Sequence, residues 1–499
     1  MDIVLPLFVV IPLLSSAFAV MAPWKWARDL LHLAVPALSL AAGAWLFSYT
    51  ATHGTLGHNV GLFAGGVAIP FVADAFCAVM IVTTALVTLC ANWFATAAGE
   101  TRARYYPALT LVLLTGVNGA LLTADLFNFF VFIEVMLLPS YGLIAMTGTW
   151  SRLAAGRTFV LVNLTASTLL VVGVGFVYAT TGTVNMAALR GAAEGNGPAV
   201  VAMALVLIAV SAKAGIVPLH TWLPRTYPGT SAAVMGLFSG LHTKVAVYML
   251  YRIYVIIFDL SDRWNALIVG LMVVSMLVGG FAGLAENSIR RVLAYQMVNG
   301  MPFILVMLAF TTGDAQRALA AGLLYALHHM VTVGSLVLTS GAIEETYGTG
   351  LVSKLSGLAR REPWVAAVFA AGAFSVVGFP PFSGLWGKVA VVLSVARGGG
   401  WSSWLVIGAI VLASFAALLA MFRVWRAVFW GRPMQHVPKD LRIRGVLIAP
   451  AAALLACSVA MFFAAGPLVA ALHTATGALL DVDSYQESVL GATAIGVPR

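Results

Sequence analysis

The 499 residues are 61% hydrophobic and 9% charged, with a mean hydropathy of +0.98. A soluble chain of this length carries roughly a quarter charged residues, so soluble, disordered, collagenous and disulfide-scaffold classes are excluded. The net charge of +9 comes with no basic run interleaved with aromatics outside apolar segments, which excludes a nucleic-acid surface.

Because a bilayer-crossing helix needs about 20 apolar residues, the apolar runs predict about fourteen spans. They cover residues 3–21, 30–49, 70–96, 106–124, 126–147, 158–180, 199–217, 231–256, 265–285, 290–311, 316–341, 364–396, 402–428 and 443–475. Long runs without alternation are helical, since only helices and closed barrels satisfy backbone groups in lipid. The fold expected is an all-α polytopic membrane protein, a single integral domain over 1–499. The hydrophilic stretches 342–363, 431–442 and 476–499 are too short to build a core. The start, Met1-Asp2-Ile3, lacks a basic segment and a cleavage site and reads as a retained span. Cys77, Cys90 and Cys457 sit in apolar stretches without paired spacing and read as small buried hydrophobes.

Cytoplasmic connections carry an excess of Lys and Arg, which orients the map. With the N-terminus outside, inner connections hold Lys25, Arg28, Arg102, Arg104, Arg152, Arg157, Arg225, Arg290, Arg291, Lys354, Arg360, Arg361, Arg423, Arg426, Arg432, Lys439, Arg442 and Arg444. Outer ones hold only Arg190, Arg252, Arg263, Arg317, Arg397 and Arg499. Both termini are therefore expected outside. Lys213, Lys244 and Lys388 remain, and all three fall within spans.

Two spans look discontinuous. The seventh runs into Lys213-Ala-Gly-Ile-Val-Pro218-Leu-His220-Thr-Trp222-Leu-Pro224, and the twelfth contains Gly378-Phe-Pro380-Pro381-Phe-Ser-Gly384-Leu-Trp-Gly-Lys388. Interrupted helices at matching places in two halves signal an inverted repeat whose unwound backbone lines a watery cavity. Two inverted five-helix repeats are expected, over about 106–256 and about 265–428, with Lys388 as the counterpart of Lys213.

An ionisable side chain deep in the membrane is costly and points to function. Glu134 lies eight residues past its span's start, with Tyr141 seven residues on and on the same face. Lys213, Lys244 and Lys388 are candidates for reversible protonation. His328 and His329 are consecutive in mid-span; Tyr325 shares a face with His329 and Thr332 with His328. His220 stands at the first break as a gate or a cap for freed carbonyls. His242, two positions from Lys244, faces away from it. Asp125 is about 13 Å along the helix from Glu134 at ~1.5 Å per residue, so the two form no close dyad; it ends the path, orients a helix or binds a cation. Asp74 reads as an interfacial cap, and His32, His53, His58, His436 and His473 as solvated. The histidines lack a partnering carboxylate or cysteine at ligand spacing, so neither metal nor cofactor is expected.

Together, Asp125-Leu-Phe-Asn-Phe-Phe-Val-Phe-Ile-Glu134, the Lys213–Pro224 segment, His328-His329 and Pro380–Lys388 resemble the antiporter-like subunits shared by Mrp-type cation/proton antiporters and respiratory complex I. The match covers nearly the whole chain and leans to the Mrp branch and, within it, to the D-type subunits. The resemblance implies a proton path through Glu134, Lys213, Lys244, His329 with His328, and Lys388. Some relatives carry a lysine four residues after His329, where this chain has Val333, which shifts the central relay to the histidines, Tyr325, Thr332 and water. An ammonium repels sodium and cannot ligate it, so this subunit would handle protons. The implied partners are other subunits of a hetero-oligomeric antiporter, protons, a monovalent cation taken as sodium, and lipids, in a bacterial plasma membrane. The alternatives are a proton-pumping subunit of a complex I-like or hydrogenase-like redox enzyme, a carrier for an organic solute, and a structural scaffold.

Overall fold

The computed structural model describes residues 2–63, 65–66, 68–146, 148–434, 437–438 and 440–491. His436, Lys439 and Arg499 lie outside the described residues. The chain opens with α1 (Leu7–Met21) and α2 (Lys25–His53), a two-stranded antiparallel hairpin of β1 (Leu56–Asn59) and β2 (Pro70–Ala73), then α3 (Ala75–Ala98). Next come α4 (Tyr106–Leu122), α5 (Leu126–Ala145), α6 (Trp150–Thr181) and α7 (Gly197–Ala214). A broken stretch carries the short α8 (Trp222–Thr226) before α9 (Ala232–Gly240) and α10 (His242–Ile256), which together make one span. The second half runs α11 (Asn265–Ala282), α12 (Ile289–Leu305), α13 (Ala315–Tyr347), α14 (Leu358–Arg361), α15 (Pro363–Val377), α16 (Ser383–Gly398) and α17 (Gly400–Val424). It closes with α18 (Gly445–Phe463), α19 (Ala465–Leu480) and α20 (Val482–Leu490).

Among the described residues, eleven helices are long and apolar enough to cross a membrane, and the bent pair α19–α20 would make a twelfth. Three shorter apolar helices, α1, α4 and α15, lie beside them. The sequence-predicted span 443–475 is two helices parted at Ala464, and 364–396 is two parted between Val377 and Ser383. The hairpin was not anticipated: its strands are four residues each, and α20 seals it, with Asn59 Nδ2 donating to Val489 O at 3.4 Å.

Capping residues set the helix starts. Asp74 accepts from Cys77 N at 2.8 Å to open α3, Asp125 from Asn128 N at 2.7 Å to open α5, and Ser231 from Val234 N at 3.3 Å to open α9. Ser231 also donates to Glu100 Oε2 at 2.7 Å, tying α9 to the α3–α4 connection.

Helix α13 is the centre of the molecule. It packs against α9, α12, α15, α16, α18 and α19, and its apolar window is wholly buried, as is that of α9–α10. A helix apolar all round belongs in a core rather than at a lipid boundary. Small residues allow the closest approaches in each half. Gly116 of α4 lies on the Met136 backbone of α5, and Gly279 of α11 on the Asn299 backbone of α12, where an added Cβ would stand 2.5 and 2.4 Å from the facing nitrogens. The breaks pair likewise: Gly215 and Gly378 end α7 and α15 in the left-handed region, and cis prolines follow at Pro218 and Pro381. All four correspondences, Gly116 with Gly279, Met136 with Asn299, Gly215 with Gly378 and Pro218 with Pro381, keep the same offset along the chain.

Candidate functional site

Side chains from the most deeply buried helices meet in mid-molecule. Lys244 of α10 is fully buried, and its Nζ lies 3.0 Å from His329 Nδ1 on α13. The ammonium also donates to Ser239 O at 3.2 Å, a carbonyl exposed where the span breaks at Leu241 between α9 and α10. On its far side, His329 Nε2 is 3.3 Å from Gln296 O of α12, and Gly300 leaves the room: a Cβ there would stand 2.1 Å from that nitrogen.

His328, the next residue back, points elsewhere, as a helix requires of neighbours. Its Nδ1 meets Ser383 Oγ at 2.9 Å and Thr332 Oγ1 at 3.2 Å. Thr332 reaches Ser375 at 2.9 Å, Ser375 reaches Ser458 at 3.0 Å, and Ser458 reaches Ser383 at 2.7 Å. These contacts close a ring of one imidazole and four hydroxyls across α13, α15, α16 and α18, and every member is buried. Hydroxyls accept and donate at once, so the four can relay a proton to or from His328 Nδ1, which as one nitrogen either takes or gives it.

The outlying members flank this centre. Lys213 Nζ donates to Ser167 Oγ at 3.0 Å, and Trp222 Nε1 caps the freed Ala212 O at 2.9 Å. Glu134 is half-buried with Oε1 covered and without a hydrogen-bond partner, and it is not hydrogen-bonded to Lys213. His242 faces away from Lys244 as expected, stacking on Phe238 at 4.4 Å and meeting Ser140 of α5 through Nε2 at 3.0 Å. Tyr141 packs edge-on against Phe159, its hydroxyl buried and unpartnered. At the other end Lys388 donates to Val377 O and to Ser414 Oγ, both at 2.8 Å, and lies over Phe303, which stacks on Tyr325.

Three expectations need correction. Lys388 is not the register counterpart of Lys213: Lys213 stands two residues before Gly215, whereas Lys388 stands ten after Gly378, a position matched in the first half by exposed Arg225. Four long helices separate the breaks, so the chain passes them in opposite directions, and a lysine before one and after the other lie on the same side. His32 is fully buried rather than solvated, with Nδ1 2.9 Å from Thr110 Oγ1. Arg252, assigned to an outer connection, is buried in α10 against Asp74.

Asp125 serves as a helix cap at one end of α5, away from the line, and burial raises its carboxyl above the usual range. His220 sits half-buried in the first break with Nδ1 unpartnered. Sequence reasoning missed Ser167, Ser375, Ser383, Ser414 and Ser458. Among the described residues no cluster of three or more His, Cys, Asp or Glu side chains is arranged to hold a metal.

Fold and site together define a polytopic helical membrane protein with a line of buried ionisable side chains running across its centre. Residues 123–417 match the family model described as NADH:quinone oxidoreductase/Mrp antiporter, TM, and the chain belongs to that family. It is 34% identical over 430 residues to the D-type subunit of the Na(+)/H(+) antiporter of Alkalihalophilus pseudofirmus, covering 85% of this chain and 86% of that one. A chain in the structure of the Mrp complex from Dietzia sp. DQ12-45-1b superposes with a TM-score of 0.94 at 39% identity, over 98% of this chain and 99% of its own. A chain of respiratory complex I from Thermus thermophilus shares the fold, with a TM-score of 0.81 at 22% identity, over 96% of this chain and 99% of its own. Glu134 and all five Lys and His members of the line fall inside the matched stretch; Ser458 and Asp74 fall outside it.

Proposed function

We propose that this chain is the proton-translocating subunit of a multisubunit Na+/H+ antiporter in a bacterial plasma membrane, built from inverted repeats over about 106–256 and about 265–428, with both termini outside. Protons pass among Glu134, Lys213, Lys244, His329, His328 and Lys388, and sodium crosses with the help of partner subunits. The relatives' names and the superposition on an Mrp complex chain support the assembly. The shared offset of the glycine contacts and breaks supports the repeats.

The observation that carries the path is the 3.0 Å contact between Lys244 Nζ and His329 Nδ1 in a fully buried site. A proton passed from Lys244 to His329 leaves a neutral amine and makes an imidazolium, so one buried positive charge is moved along a single hydrogen bond and none is added. The proton then has two neighbouring imidazoles on one rigid helix, the second joined to the hydroxyl ring that leads toward α16. At the other end, Ser167 holds Lys213, His242 at the start of α10 meets Ser140 of α5, the helix of Glu134, and water completes the steps.

The test is sodium-dependent collapse of a pH gradient in inside-out vesicles holding the whole complex. Lys244→Met is expected to abolish the signal with all subunits still co-purifying. Wild-type exchange by that variant would falsify the path. Co-purification with small hydrophobic subunits supports antiport, whereas cluster-bearing peripheral subunits would assign the chain to a redox pump.

A further inference from the structure

Arg252 is among the largest fully buried side chains of the protein, at 1% exposure, and belongs to none of the steps above. It lies on α10 two helical turns beyond Lys244, with Tyr248 between them, so Lys244, Tyr248 and Arg252 form one stripe about 12 Å long at ~1.5 Å per residue. The stripe points toward the face that carries the β1–β2 hairpin and α20. At its end, Arg252 Nη2 meets Asp74 Oδ1 at 2.6 Å, and Asp74 is fully buried too. The guanidinium carbon lies 5.2 Å from the ring centroids of Phe76 and Tyr248 and 5.1 Å from that of Tyr485, which α20 brings across.

A buried ion pair is a costly way to fill space, since apolar residues of similar volume do as well or better. The hydrogen bonds give this one a direction. Tyr248 OH donates its only proton to Leu121 O at 2.7 Å and accepts from Arg252 Nε at 3.1 Å. A guanidinium has five donors and no acceptor, and it does not deprotonate. Lys244 Nζ is hydrogen-bonded to Ser239 O, Thr243 Oγ1, Met301 Sδ and His329 Nδ1 and not to Tyr248, so a proton would reach Tyr248 only across a water. One that did finds nothing at Arg252 to receive it, and meets a fixed positive charge as well. In the other direction, His329 Nδ1 is an acceptor 3.0 Å away.

We propose that Arg252, held in place by Asp74, is a proton seal: a donor-only side chain that closes the direct route from Lys244 to the hairpin face, so that protons leave Lys244 only toward His329. This rests on the proton path proposed above. Arg252 is a positioning residue in that scheme. Asp74 keeps the guanidinium in the protein interior, and Tyr485 closes the aromatic box from the C-terminal side. Without the seal, exchange would be short-circuited by leak.

The test measures decay of an imposed pH gradient across vesicles holding the whole complex, with no sodium, potassium or lithium present. Arg252→Lys keeps a cation for Asp74 but replaces a group that never deprotonates with one that can, so the gradient should decay faster than in wild type. Arg252→Gln with Asp74→Asn neutralises the pair and supplies an amide acceptor, and Arg252→His retains a partner for Asp74 while adding a group that can release its proton. Both should raise the cation-independent decay by about tenfold, and adding Lys244→Met to either should restore the slow decay. Wild-type decay in whichever of the two assembles overturns the seal, as does a leak that survives Lys244→Met. Lys244→Met alone, measured with sodium, judges the path separately: if it still exchanges, the path fails, and if it does not while the Arg252 variants stay tight, the seal alone fails.

Discussion

The two broken helices share a backbone plan and differ in what satisfies it. In the first, the carbonyl freed at the end of α7 is capped by the Trp222 indole, and Val217 N donates to Ser275 Oγ at 3.1 Å. Lys213 is left with a single hydroxyl partner, Ser167. In the second, Lys388 is itself the cap, donating to Val377 O at the end of α15, while Ser458 accepts from Ser383 N at the start of α16. One lysine is spared from structural duty and the other is employed in it. A neutral amine keeps two N–H donors, so a proton leaving Lys213 only weakens its bond to one hydroxyl, whereas a proton leaving Lys388 removes the charge from the bond that caps a helix end. On the proposed path, the second break is thus the place where protonation and backbone geometry are coupled.

The largest expected effect lies between the breaks and is common to both. Lys244→Met should lower exchange by at least about a hundredfold, the scale lost with a proton-transfer group, as read by sodium-dependent gradient collapse. The sharper comparison sets Lys213→Ala beside Lys388→Ala. Both should lose exchange, but Lys213→Ala should melt at or above the wild-type temperature because a buried ammonium with one partner is removed. Lys388→Ala leaves Val377 O without its cap and should cost about 1–3 kcal/mol. Equal melting temperatures for the two variants would erase the distinction.

A smaller effect is expected one shell out. Ser458→Ala removes a hydroxyl that contacts both sides of the second break, so exchange should fall about fivefold for about 1 kcal/mol of lost hydrogen bonding. No comparable loss should follow Ser275→Ala at the first break, where Lys213 is not part of the cap. The smallest effect is away from the line and concerns stability alone. Burial pushes the Glu100 carboxyl from 4.5 up to about 7, against the opposing hydrogen bond from Ser231. The folded chain holds that proton to higher pH than the unfolded chain does, so wild type loses stability as pH rises from about 4.5 through about 7. Glu100→Gln cannot lose a proton there, and its melting temperature should exceed that of wild type increasingly across that window, with the gap level above it.

Much of this was legible in the sequence because charge is so scarce. Lys213, Lys244, Lys388, Glu134 and the histidine pair stand out in apolar runs, and both breaks announce themselves by glycine and proline. The hydroxyl partners were not legible. Ser and Thr in helices satisfy themselves on the carbonyl one turn back, as Thr84 does on Met80 O, so a serine that instead contacts a lysine looks the same in sequence. Arg252 was misassigned because its partner, Asp74, lies in a distant helix, and local pattern cannot pair residues that far apart. The register of Lys388 was misread for a related reason: two lysines near two breaks suggest correspondence, and only the matched glycines and prolines set the true offset.

His328 and His329 are adjacent on a buried helix, yet one touches the hydroxyls around the second break and the other the lysine of the first half. The crossing from one half to the other is therefore a fixed distance, one residue of helix, that no sliding of the halves can lengthen. Each residue of helix also turns by about 100°, so inserting a single alanine between the two histidines would swing one of them off its partner while the other stayed in place. Every residue on the displaced side, Thr332 or Tyr325 included, would turn with it, so the insertion would break the crossing between the halves together with the packing of that side.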